Sequence, residues 1–195
     1  MQATATIVLI TAPLMVGLFV LREPFVLAAL GDRWLAVANV LAWLVPVGLL
    51  QSVGTTVGTL YLATGRTDLM FKWGIGSSLL FIPAFVIGLQ WGIVGVAAAY
   101  AVASLFLFYP SLAIPFRLVE LKVGDVLWRT IPSLATATAM ACLIATLAAA
   151  WPADASNQLS RFALLVLLGA VTYGGISLFT QRALLRDLRR AIFKQ

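Results

Sequence analysis

The sequence predicts an all-α fold, a polytopic bundle of about six membrane-crossing helices. Only 10% of the 195 residues are charged and 62% are hydrophobic. Soluble domains carry roughly a quarter charged residues, so the apolar surplus here has to face lipid. Uncharged stretches of span length recur along the chain between short polar connectors, and about 20 apolar residues cross a hydrocarbon core of ~30 Å. The formal net charge of +6 would suggest nucleic acid in a soluble protein. Here the cations sit at the ends of apolar runs and form no basic patch interleaved with aromatics. No nucleic-acid partner is expected.

The first span lies near residues 5–21, with its apolar core at Ile7–Leu21 and Pro13 inside; Arg22-Glu23-Pro24 ends it. No Lys or Arg precedes the run, so the basic start of a signal peptide is missing, and further sequence is expected upstream. Pro24–Gly31 is too short to cross, and reads equally as an interfacial or re-entrant turn of helix or as a hydrophobic connector.

The second span, near 34–63, organises the rest. Trp34–Gly65 holds no charge and would run ~48 Å at helical rise, with Pro46 and Gly48 placing a bend near its middle. Trp73–Phe116 is uncharged too, but ~66 Å is too long for one crossing. Gln90-Trp91-Gly92 breaks it into a hairpin with spans near 72–89 and 92–114. A charged connector, Arg117–Arg129, leads to a fifth span near 130–150, closed by Trp151-Pro152. A polar connector with Asp154, Ser156, Asn157, Gln158 and Ser160 precedes the sixth, near 162–180.

Residues 1–181 therefore form the bundle and 182–195 a basic amphipathic tail, with Leu184, Leu185, Leu188 and Ile192 at helical spacing among arginines. The tail reads as a helix on an anionic surface or as a bare topology anchor. Six spans put both ends on one side. That side carries Arg66, Lys72, Arg117, Lys122, Arg129 and the five cations of the tail, against Arg22, Arg33 and Arg161 on the other. By the positive-inside rule both termini are cytoplasmic.

Chemistry is sparse. There is no histidine and a single cysteine, Cys142, which excludes an intrachain disulfide, a multi-thiolate metal site and the usual proton shuttle. The seven acids are scattered over connectors, most of them one to four residues from a base, and read as interface ion pairs. No Gly-Lys-Ser/Thr phosphate loop occurs. The chain is not expected to be an enzyme, and no catalytic residue, metal or cofactor is assigned.

The polar residues inside spans carry the functional interest. Gln51, Thr55 and Thr59 fall at i, i+4 and i+8 on one face of the second span. They either line a substrate path or hydrogen-bond to neighbouring helices. Gly54 and Gly58 have the small-xxx-small spacing of close helix packing, static or sliding. Charge is absent from span centres, which argues against a proton relay. Trp73, Trp91, Tyr109, Trp128 and Trp151 lie near span ends, as an aromatic belt does.

Several short motifs occur together. Pro13-Leu14-Met15 opens a span that is followed by Gly31-Asp32-Arg33-Trp34; Ala63-Thr64-Gly65-Arg66 ends the long helix, and Gly92-Ile93-Val94-Gly95-Val96-Ala97 closes the hairpin. In this order and spacing, over about residues 10–130, the chain resembles the C-terminal part of Wzx-type oligosaccharide flippases, of the multidrug/oligosaccharidyl-lipid/polysaccharide exporter superfamily.

The resemblance implies a multi-pass protein of the bacterial cytoplasmic membrane. It implies transfer of oligosaccharide linked to polyprenyl diphosphate between leaflets during surface polysaccharide biosynthesis, such as that of lipopolysaccharide, by two lobes rocking around a cavity. The chain has about half the length of such a protein and lacks the N-terminal lobe, so a fragment or truncated product is expected. Arg22, Arg33 and Arg66 are then the cations near the long helix that could meet a diphosphate; topology anchoring is their other reading. Two alternatives stay open, a non-transporting membrane scaffold for polysaccharide assembly and a cation-coupled drug exporter of the same superfamily.

Overall fold

Helices apolar on every face, rather than along one stripe, are built for a lipid surround. The computed structural model describes residues 2–151 and 158–180, and among them there is no strand. The elements are α1 (Gln2–Val20), α2 (Arg22–Ala29), α3 (Val37–Gly54), α4 (Val57–Ala63), α5 (Thr67–Gly88), α6 (Gly92–Leu118), α7 (Val123–Ala150) and α8 (Gln158–Thr180). The basic tail lies outside the described residues, as does most of the polar connector before α8.

Four stretches are long and apolar enough to cross a membrane: Val37–Ala63, Thr67–Leu118, Val123–Ala150 and Gln158–Phe179. The pair Thr4–Val20 and Arg22–Ala29, bent by 82°, is long and apolar enough only when its two helices are taken together. Thr67–Leu118 is itself a hairpin. Phe81 and Phe85 of α5 lie 5.2 and 5.8 Å from the Tyr100 ring of α6, and Gly88 abuts Gly95. Only an antiparallel fold brings those positions together, so this stretch makes two apolar passes. The chain is a multi-pass membrane protein.

Glycine permits the hairpin. Gly92 sits at φ 70°, ψ −161°, a region that side chains essentially exclude. A Cβ on Gly88 would stand 2.7 Å from the Gly95 carbonyl oxygen and 2.8 Å from Val96 Cα. Those obstacles are backbone and cannot rotate away.

α1 is central. Its Val8, Leu9 and Ala12 are buried with Leu112 and Phe116 of α6, Ala137, Met140 and Ile144 of α7, and Leu165 and Tyr173 of α8. Pro13 lacks an N–H, so the Leu9 carbonyl four residues earlier loses its helical donor. The Tyr173 hydroxyl donates to that carbonyl at 2.7 Å, as backbone groups within a bilayer require. Met15 fills the space over Gly48, its Sδ 3.1 Å from where a Cβ would be. Large apolar side chains such as Phe71, Leu79, Phe106, Val171 and Phe179 lie outward and exposed, the reverse of a soluble fold.

One expectation changes and two others gain detail. Pro24–Gly31 is largely helical, forming α2, which packs Phe25 against Phe162 of α8 with ring centroids 5.9 Å apart. The connector expected at Arg117–Arg129 shrinks to residues 119–122. α7 starts at Val123 because Asp125 suits a helix N-terminus, and Val126 and Thr130 continue its buried face. Finally, Pro46 lies inside α3, and helical hydrogen bonding lapses further along the span, at Thr55–Thr56.

Candidate functional site

The break at Thr55–Thr56 has a local cause. Three hydroxyls bond back to carbonyls three residues earlier: Ser52 to Leu49 (2.7 Å), Thr55 to Ser52 (2.9 Å) and Thr59 to Thr56 (2.7 Å). Such bonds compete with the i−4 ladder and bend helices. Thr56 takes ψ −10°, well away from the α-helical value near −42°. Its hydroxyl meets that of Thr4 on α1 at 3.1 Å.

Gln51, Thr55 and Thr59 share one exposed face of α3 and α4. The two threonine donors are spent on their own helix, which leaves hydroxyl oxygens as acceptors along that face. Gln51 reaches across instead. Its Nε2 donates to the Tyr100 hydroxyl of α6 at 2.6 Å, and Phe81, Phe85 and Tyr100 form one aromatic cluster beside it. An amide, a phenol and two further rings thus meet in an otherwise apolar surround.

Sequence reasoning missed Tyr100, Phe81 and Phe85. The available signal was the i, i+4 spacing of Phe81 and Phe85 and one phenol inside a span; what pairs them with Gln51 is the hairpin register.

The cations do not converge. Arg22 donates to the Phe19 carbonyl at 2.8 Å and lies over the Phe19 ring at 5.3 Å, so it caps α1. Arg33 sits on an exposed turn, Asp32–Trp34, before α3. Arg66 pairs with Asp68 at 3.4 Å, both side chains half exposed. Arg33 and Arg66 flank the 27 residues of Val37–Ala63, ~40 Å of helix, so one diphosphate cannot meet both.

Among the described residues, a Cβ on Gly54 or Gly58 would meet nothing within 4 Å. The close glycine contacts occur at Gly88, Gly95 and Gly169. Among the described residues, no three His, Cys, Asp or Glu side chains gather in a way that could hold a metal ion.

The chain is similar to the lipopolysaccharide biosynthesis protein WzxC of Escherichia coli (strain K12), 31% identical over 145 residues, which cover 70% of this chain and 30% of the relative. It is similar to the teichuronic acid biosynthesis protein TuaB of Bacillus subtilis (strain 168), 34% identical over 109 residues, or 55% of this chain and 23% of the relative. An uncharacterized membrane protein in the cps region of Klebsiella pneumoniae is 27% identical over 94 residues, 48% of this chain and 19% of the relative. The chain spans less than a third of the length of each. No family model matches the chain, and no solved structure matches it significantly.

Proposed function

Because the chain is related to the Wzx-type polysaccharide flippases, we propose that it forms the C-terminal portion of a flippase. The cargo is a lipid-linked oligosaccharide, carried on a polyprenyl diphosphate across the bacterial cytoplasmic membrane with both chain termini in the cytoplasm. In this reading a second helical lobe, from the longer polypeptide, closes the cavity over the exposed face of α3 and α4. Relatives named for lipopolysaccharide and for teichuronic acid biosynthesis support a role around surface polysaccharides.

The observation that carries the reading is the polar and aromatic cluster at Gln51. Sugar hydroxyls leaving water lose hydrogen bonds, and each unpaired one is costly in an apolar medium. Gln51 has a second amide proton and a carbonyl oxygen beyond its bond to Tyr100, and the Thr55 and Thr59 oxygens add acceptors along the same face. The neighbouring rings offer apolar surface to sugar C–H faces. Arg33 and Arg66 would then act at the two mouths of the path, each meeting the diphosphate at one end of its journey.

A scaffold reading competes on one observation, because a Gln51–Tyr100 bond also knits α3 to α6. Solvent access separates the two. In a Cys142→Ser background, Gln51→Cys in native membranes is expected to react with a membrane-impermeant thiol reagent, while Val45→Cys, buried at 5% exposure, stays unlabelled. Equal protection of both positions would favour the scaffold. In the longer parent, Arg33→Ala is expected to reduce polysaccharide export at normal protein abundance; unchanged export would remove Arg33 from the path.

A further inference from the structure

We infer that the Thr55–Thr56 break is a two-position hinge on which α4 swings relative to α3, latched in the position described by the hydroxyl contact between Thr56 and Thr4. The inference does not depend on what, if anything, the protein transports.

Four observations meet at this point. Helical bonding lapses for two residues between Gly54 and Val57. The carbonyls around the lapse take bonds from Ser52, Thr55 and Thr59 hydroxyls, so the backbone changes shape without leaving its polar groups bare in lipid. The glycines flanking the break have open space where a Cβ would be, so nothing beside them blocks a change of angle.

The fourth observation supplies the second position. Tyr61 of α4 is 1% exposed, and its buried hydroxyl has no hydrogen-bond partner. A buried phenol without a partner destabilises the state that contains it. One side chain therefore opposes the position that Thr4 and Thr56 hold. α4 is seven residues long, ~10 Å, so a ~30° swing moves its far end by roughly 5 Å. Gly65, at φ 66°, provides a second pivot where α4 passes into the turn before α5.

Spin labels test this on the whole chain in lipid nanodiscs, with Cys142→Ser, Leu14→Cys on α1 and Leu62→Cys on α4; both leucines are exposed, at 63% and 64%. α1 runs antiparallel to α3, which puts the labels ~20 Å apart along the axis. Pulsed dipolar spectroscopy is expected to give two distances differing by roughly 5 Å. Thr4→Val, which removes the latch, should move the population away from the described position, and Thr56→Val should do the same. Tyr61→Phe, which removes the opposing hydroxyl, should move it back. Gly54→Ala with Gly58→Ala should narrow the distribution to one distance. A single narrow distance, unmoved by Thr4→Val and Tyr61→Phe, overturns the hinge.

Discussion

Gly95→Val is expected to lower the unfolding free energy of the bundle by about 3 kcal/mol, the upper end of overpacking costs. Most overpacked sites relax because a neighbouring side chain turns aside. Here the first atoms met by an added Cβ are the Gly88 carbonyl oxygen and Trp91 Cβ, and the first belongs to the backbone of the hairpin itself. Relief requires α5 and α6 to separate, and with them the Phe81–Tyr100 and Phe85–Tyr100 contacts. Gly88→Ala should be nearly as harmful, since it meets the Gly95 carbonyl and Val96 Cα from the other side.

The control is Gly54→Ala, with nothing within 4 Å of the new methyl. It should leave stability unchanged or raise it by up to about 1 kcal/mol through helix propensity. Reversible unfolding in mixed micelles, followed by helical circular dichroism, measures all three. Should Gly95→Val and Gly54→Ala differ by less than about 0.5 kcal/mol, the spread ordinary at surface sites, the hairpin contact is not as close as described.

The same glycines show what a reader of the sequence can and cannot see. The turn at Gln90–Gly92 was legible because the uncharged run was too long for one crossing and a polar residue, an aromatic and a glycine coincided there. Gly54 and Gly58 attracted attention by their spacing, yet spacing within one helix does not say which face a neighbour covers. Gly88 and Gly95 lie on two helices and become neighbours only through the hairpin, so no single-helix period reveals them. Pro46 drew attention as well, but the lapse in helical bonding lies at Thr55–Thr56. A proline removes one donor and can be absorbed inside a long helix, whereas three hydroxyls bonding back at i−3 disturb several carbonyls together. Gln51 was legible as the most demanding polar group in its span; its partner Tyr100 was not, since the two are joined by tertiary packing. The arginines were legible as span-end charges, but that Arg22 turns back onto Phe19 and Arg66 onto Asp68 is a matter of side-chain reach.

Tyr173→Phe is expected to destabilise the bundle by about 1–2 kcal/mol, more than the ~0.6 kcal/mol average for hydrogen bonds between membrane helices. The usual bond is weak because its groups find other partners when it is lost. The Leu9 carbonyl has no such reserve. Pro13 has already removed its helical donor, and Leu9 is buried at 4% exposure with Val8 and Ala12 around it. Without the phenol the carbonyl is left bare in a medium that offers no water. In a Pro13→Ala background residue 13 regains its N–H, the Leu9 carbonyl regains an i+4 donor, and Tyr173→Phe should then cost less than about 0.5 kcal/mol. A double-mutant cycle by the same unfolding measurement reads the difference as a coupling near 1 kcal/mol. Equal costs in the two backgrounds would mean that the Tyr173 hydroxyl stabilises the bundle independently of whether the Leu9 carbonyl has a helical donor. The proline inside the central helix would then be tolerated for some reason other than the hydroxyl that faces its orphaned carbonyl.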